Sequence, residues 1–241
     1  AALYFLIIAA ILNILLDLYF ITQLHLGVQS AGIATIIAQG ISALLCLLYI
    51  RKKVPFLLPH RKDFVWEKEL YQDLLSQGLA MGLMTSIVSI GTVILQSAIN
   101  QLGTTIISAQ VAARRIMSFA VLPITAIASS ITTFISQNFG AEQFQRIKKG
   151  VTIANLLSWV WSVLVAALLF FTSPSLTSFI SGSTNPDLIA NASLYLQISS
   201  CFYPILASLI ILRNALQGMG KKLTPLTSSF IELFGKIFFV L

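Results

Sequence analysis

Apolar residues run along this chain in blocks of about twenty, the length that crosses a hydrocarbon layer as a helix, and short polar passages divide the blocks. Spanning helices are expected over about 1–24, 31–50, 77–100, 105–138, 151–171 and 192–216, and a seventh opens after Pro225. The chain begins AALYFLIIAA without an initiator Met and stops at FFVL inside the seventh block, so it reads as a piece of a longer protein. One hydrophilic passage interrupts the pattern. Residues 51–75, RKKVPFLLPHRKDFVWEKELYQDLL, hold six of the fifteen Lys and Arg residues and four of the eight Asp and Glu residues. This passage is expected to link two groups of helices, 1–50 and 76–241. Within it Phe64, Trp66, Leu70, Leu74 and Leu75 are spaced for an amphipathic helix on a membrane surface. Pro123 and Pro204 fall inside spanning blocks, and Pro123, near the middle of its block, removes a backbone hydrogen bond and bends the helix. The run 172–191, rich in Ser, Thr, Pro and Asn, is expected to be a loop.

Composition agrees with this pattern: 57% of residues are hydrophobic, 10% are charged, and the mean hydropathy is +0.89. That leaves too little polar surface for a soluble domain, and the fold class is an all-α polytopic membrane protein with about six complete spanning helices and part of a seventh. The net charge of +7 does not point to nucleic acid, because the basic residues stand in short clusters between apolar runs. Cys46 and Cys201 lie within apolar blocks and form neither a disulfide framework nor a metal site. Basic residues alternate between connections. Those after the second, fourth and sixth blocks carry Arg51, Lys52, Lys53, Arg61, Lys62 and Lys68, then Arg146, Lys148 and Lys149, then Lys221 and Lys222. The intervening connections carry none, so the basic ones, including 51–75, are expected on the cytoplasmic side of a plasma membrane.

Polar residues inside spanning blocks must meet a partner or a water-filled cavity. Thr85, Ser89, Thr92, Gln96 and Asn100 fall on one helix face, as do Thr125, Ser129, Thr132 and Ser136. Ser193, Gln197, Ser200 and Ser208 nearly do so. Three such stripes suggest a hydrated pathway, with interhelical hydrogen bonding as the alternative. Asn13 and Asp17 are four apart, hence on one face. A carboxylate at such depth costs about 2.5–3.5 kcal/mol on insertion scales, so Asp17 either exchanges protons or Na⁺ or is held by a structural pair. Arg114 and Arg115 point about 100° apart, and Arg115 is taken with Gln96 as a candidate pathway residue. Glu232 and Lys236 are spaced for a helical ion pair or a second acidic site. No nucleotide-binding, metal-binding or hydrolase motif is present, so no enzyme and no cofactor are expected.

Six segments carry a resemblance in their order along the chain. NILLDLYFI, GVQSAGIATIIAQ, GLAMGLMTSIVSIGTVILQSAIN, ISAQVAARRI, SQNFGAEQFQRIKKG and RNALQGMGKKLTP resemble successive blocks of the multidrug and toxic compound extrusion (MATE) family. The resemblance implies a two-lobe bundle of twelve helices joined by a cytoplasmic linker, of which this chain would supply helices five to ten and the start of eleven. It implies a secondary antiporter that exports small organic, often cationic, compounds in exchange for Na⁺ or H⁺ by alternating access, embedded in the bilayer as a monomer. In one branch an Asn and an Asp four apart, with a Thr on the next helix, form a cation site, and Asn13, Asp17 and Thr35 match those positions. Another branch carries an acidic residue on helix seven, which LMTSIVSIGTVIL lacks, leaving Glu232 as the acidic candidate in the second lobe. The substrate pathway would then include Ser89, Thr92, Gln96, Asn100, Arg115 and Gln197. Alternatives are a lipid-linked oligosaccharide flippase of related architecture, which needs several basic cavity residues, or a channel or scaffold without ion coupling.

Overall fold

A computed structural model describes residues 2–25, 27–60 and 64–240. Its described residues fall into two compact units, 1–68 and 69–241. Arg61, Lys62 and Asp63 of the hydrophilic passage lie outside the described residues.

The first unit is a helical hairpin. Helix α1 spans Ala2–Thr22 and α2 spans Gln29–Lys53. Ser30, Ala34 and Ala38 form a buried stripe of small side chains along α2. Such a stripe lets two helices approach closely, which is how helices associate where hydrocarbon supplies no hydrophobic drive. Phe5 stacks edge-on against Tyr49 with ring centres 5.8 Å apart, and Ser42 Oγ donates to the Phe5 carbonyl at 3.4 Å. Further along, Asn13 meets Thr35, so the register is antiparallel. Arg51, Lys52 and Lys53 close α2 where the helix dipole favours positive charge. A short 3-10 turn, Pro55–Leu57, follows.

The second unit contains α3 (Lys68–Asn100), α4 (Thr104–Gly140), α5 (Phe144–Ser181), α6 (Pro186–Cys201), α7 (Tyr203–Gly218) and α8 (Leu223–Val240). Helices α4 to α7 pack around two apolar clusters. Ala109, Ala113, Val165, Leu169, Ala192, Leu196 and Tyr203 build one, and Ala128, Ile135, Ile147, Ala154, Ile211 and Ala215 build the other. Large apolar side chains such as Phe171, Phe179 and Ile205 point outward, as contact with lipid requires.

Besides α5, which opens at Phe144 and takes Arg146, Lys148 and Lys149 into its first turns, three boundaries differ from the sequence expectation. Among the described residues 64–75 no separate surface helix forms: Phe64 to Glu67 are not helical, and Leu70, Leu74 and Leu75 belong to the opening turns of α3. Nothing in KELYQDLLSQ breaks a helix, so the spanning segment extends back through it. The expected loop after Phe171 is helical as far as Ser181. Thr172 Oγ1 donates back along its own helix to the Leu168 carbonyl at 2.7 Å, and Ser173 Oγ accepts from Gln197 of α6 at 3.3 Å. Gly182, at φ +62°, closes α5 in the left-handed conformation that favours glycine. The third is the block around Pro204, which is two helices, α6 and α7, meeting at an angle of 55°. Helix α6 opens earlier than expected because Asn185 caps it, accepting from the Asp187 N–H at 3.0 Å, with Pro186 in the first turn.

Candidate functional site

In the first unit the hairpin brings Asn13 and Thr35 together, Asn13 Nδ2 donating to Thr35 Oγ1 at 3.3 Å. Thr35 in turn donates to the Ala31 carbonyl at 2.7 Å. Asp17 follows Asn13 by one helical turn on the same face. Its Oδ1 is enclosed and has no hydrogen-bond partner among the described residues. An enclosed polar atom left without a partner is costly. A proton on the carboxylate, or a hard cation drawing on oxygen ligands, would relieve that cost.

The second unit carries two polar clusters, the first on α3. Near its C-terminal end Gln96 Nε2 donates to Asn100 Oδ1 at 3.0 Å, and Arg114 Nη1 of α4 donates to Gln96 Oε1 at 3.1 Å. The second cluster joins α7 to α8. Glu232 Oε2 accepts from Arg213 Nη2 at 2.9 Å and Glu232 Oε1 accepts from Lys236 Nζ at 2.7 Å. Ser228 Oγ accepts from Arg213 Nε at 3.1 Å. The Lys236 chain lies against Gly91 of α3, where a Cβ would meet its Cδ at 2.9 Å. No polar stripe in the sequence singled out Arg213. The signal that could have placed it is the reach across a tight hairpin, since the QGMGKK turn returns Ser228 and Glu232 to its level.

The candidate pathway residues do not share one setting. Gln96 and Asn100 meet Arg114, while Arg115 lines a separate cavity of about 500 Å³ with Ser108, Ser181 and Ser183. The 100° step between adjacent residues divides the arginine pair. Thr92 donates to its own helix at Val88, and Ser89 lies exposed on the same helix. Gln197 is tied to α5, donating to the Phe170 carbonyl at 3.1 Å and to Ser173. The stripe on α4 holds helices together over part of its length. Thr132 Oγ1 donates to Asn214 Oδ1 at 3.1 Å, and Ser136 Oγ donates to the Gly218 carbonyl at 2.9 Å, both on α7. Interhelical hydrogen bonding, not a cavity, is therefore what Thr132 and Ser136 do.

Five helices among the described residues are long and apolar enough to cross a membrane, and the bent pair α6–α7 makes a sixth span. With ion pairs held among the helices, these features define a multi-pass membrane protein. The MatE family profile matches residues 80–240, and the chain belongs to that family, the multidrug and toxic compound extrusion transporters, which are not enzymes. It is 29% identical over 233 residues to the Probable multidrug resistance protein YpnP of Bacillus subtilis (strain 168), an alignment covering 95% of this chain and 51% of that protein. It is 27% identical over 237 residues to an FAD transporter of Shewanella oneidensis, covering 94% of this chain and 50% of that one. The chain thus spans about half the length of the curated relatives it matches. The fold superposes on the Vibrio cholerae MATE transporter VcmN with a TM-score of 0.85 at 22% identity, covering 96% of this chain and 52% of that chain. A MOP superfamily transporter from Pyrococcus furiosus, described as having a binding pocket of reversed polarity, gives 0.82 at 20% identity, covering 98% of this chain and 54% of that one.

Proposed function

We propose that the protein containing this chain is a secondary antiporter of the plasma membrane that exports small organic compounds in exchange for Na⁺ or H⁺, with the hydrophilic passage on the cytoplasmic side. The observation that carries the coupling is the enclosed, unpartnered oxygen of Asp17 beside the Asn13–Thr35 pair. An ion taken up there relieves the cost of that oxygen and stabilises the arrangement of α1 and α2 that holds it. Substrate binds better to the alternative arrangement, so ion entry and substrate exit are reciprocally linked. Support for small organic molecules as substrates comes from the names of two relatives, a probable multidrug resistance protein and an FAD transporter. The flippase alternative loses support because Arg114 and Arg115 do not act as one basic pair.

The test reconstitutes the full-length protein in liposomes loaded with ethidium or carboxyfluorescein and imposes Na⁺ and pH gradients separately. Wild type should move at least one dye under one gradient, and Asp17→Asn should lose that gradient dependence while still inserting and folding. Movement that persists in Asp17→Asn at the wild-type rate would refute Asp17 as the coupling group.

A further inference from the structure

One cavity of the second unit gathers hydroxyls around a guanidinium. It has a volume of about 500 Å³ and lies where α4 opens and α5 closes, at the end of the unit whose connections carry no Lys or Arg. Ser108, Val111 and Arg115 line it from one face of α4, and Ser181 and Ser183 line it from the turn that ends α5. Side chains on a helix lean toward its N-terminus, so the long Arg115 side chain runs back toward the level of Ser108, where α5 ends. The walls are held by packing: Leu188 and Ile180, which also line the cavity, belong to the apolar cluster that joins α4, α5 and α6. Arg115 makes no ion pair and no side-chain hydrogen bond among the described residues, whereas its neighbour Arg114 is held by Gln96.

The hydroxyls of this cavity are free to donate. Ser181 Oγ accepts from the Ser183 N–H and Ser183 Oγ accepts from the Asn185 N–H, both at 3.2 Å, so each keeps its own O–H for another partner. Ser108 Oγ has no partner among the described residues, and no carboxylate lines the cavity. We propose that this cavity binds the phosphate or carboxylate group of a small organic anion, with Arg115 as the cationic contact and Ser108, Ser181 and Ser183 donating to the remaining oxygens. The planar guanidinium fork matches a pair of phosphate or carboxylate oxygens. The volume is larger than such a group alone fills, and Ile107, Val111 and the buried Leu188 supply an apolar wall, so the ligand carries an apolar body as well. This site is separate from Asp17 and does not rest on the exporter reading.

The experiment measures binding to the purified full-length protein in phosphatidylcholine nanodiscs by isothermal titration calorimetry, with empty nanodiscs as the blank. The probes are naphthyl phosphate, naphthoate and neutral naphthol, which share one apolar body and differ in the anionic group. At least one of the two anions should bind, with naphthol about tenfold weaker or more. Arg115→Gln should weaken the anion about tenfold or more, and Arg115→Lys, which keeps the charge but not the fork, should fall between. Ser108→Ala should weaken it about threefold or more. Val111→Trp fills the cavity and leaves Arg115 in place, so it should abolish binding. Arg146→Gln, in the first turn of α5 and at the opposite end of that helix from Ser181, should change nothing. Should Arg115→Gln fail to fold, Ser108→Ala and Val111→Trp carry the test.

No binding of either anion would overturn the inference, and that is the result expected if a carboxylate from elsewhere in the full-length protein occupies Arg115. Equal binding of naphthol and the anions, or unchanged affinity in both Ser108→Ala and Val111→Trp, would overturn it too. A lipid headgroup and a soluble molecule can present the same phosphate, and lipid composition separates them. Phosphatidylglycerol in place of part of the phosphatidylcholine should compete with naphthyl phosphate if the group belongs to a lipid, and leave it unchanged if the ligand is soluble; either result upholds the site. Gradient-driven transport by wild type and Asp17→Asn is read separately, so failure of the antiporter reading and failure of this site are distinguishable.

Discussion

Gly218 sits where α7 crosses α4 at close range, and replacing it by alanine is the sharpest test of that packing. A Cβ at position 218 would lie 2.7 Å from the Thr132 carbonyl oxygen and 3.2 and 3.3 Å from Ile135 carbons. The nearest of these atoms is backbone in the middle of α4, which cannot swing aside as a side-chain tip can. The helices must separate, and the Ser136–Gly218 and Thr132–Asn214 bonds at 2.9 and 3.1 Å lengthen with them. Overpacking of this kind costs about 1–3 kcal/mol, and interhelical hydrogen bonds in membranes average about 0.6 kcal/mol each. Gly218→Ala should therefore destabilise the protein by about 2–4 kcal/mol. The assay is unfolding of the purified full-length protein in mixed micelles by titration with SDS, read by tryptophan fluorescence. Gly78→Ala on α3 is the control, since a Cβ there meets nothing within 4 Å and alanine is the better helix former. If Gly218→Ala unfolds at the wild-type midpoint while Gly78→Ala does too, α4 and α7 are not in the tight contact described.

Two further outcomes follow from the same geometry. Gly150→Ala places a Cβ 2.6 Å from Phe134 Cε1, a ring that can turn where backbone cannot, so its loss should be smaller than that of Gly218→Ala, about 1 kcal/mol in the same titration. Trp161→Phe removes the Nε1–H that donates to the Ala120 carbonyl at 2.8 Å and leaves the ring against the α4–α5–α6 cluster. It should cost about 1 kcal/mol, and an unchanged unfolding midpoint would show that this bond contributes nothing.

Much of the architecture was legible because a spanning helix imposes length and apolarity on its residues. The places where reading failed share a cause. Polar residues in 172–181 resemble a loop by composition, yet they continue α5, where Thr172 bonds back to the Leu168 carbonyl of the same helix, Ser173 accepts from Gln197 of α6, and Ser173 and Thr177 are buried. Composition reports what a residue prefers in water, whereas inside a bundle the neighbours decide. Pro204 was visible, but its effect was not: a proline at 123 leaves α4 continuous, while one at 204 sits in the first turn of a new helix at a 55° bend.

The site divides along the same line. The meeting of Asn13 with Thr35 was legible because a short hairpin returns α2 alongside α1, and Asp17 shares the face of Asn13 by its spacing. The polar stripes could not be assigned, since periodicity marks a face without saying what it meets. Thr92 and Thr132 belong to equally regular stripes on α3 and α4, and only one of them crosses to another helix. What separates them is the opposing residue. Across from Thr132 stand Asn214 and Gly218, an acceptor and a space. On α3 itself a glycine, Gly91, receives the side chain of Lys236 from α8. A glycine opposite a hydroxyl stripe thus marks helix-to-helix contact, and a glycine opposite a long cation marks room kept for charge. Both signals were present in the chain, but each is a pair relation between residues far apart in sequence, which a single face cannot express.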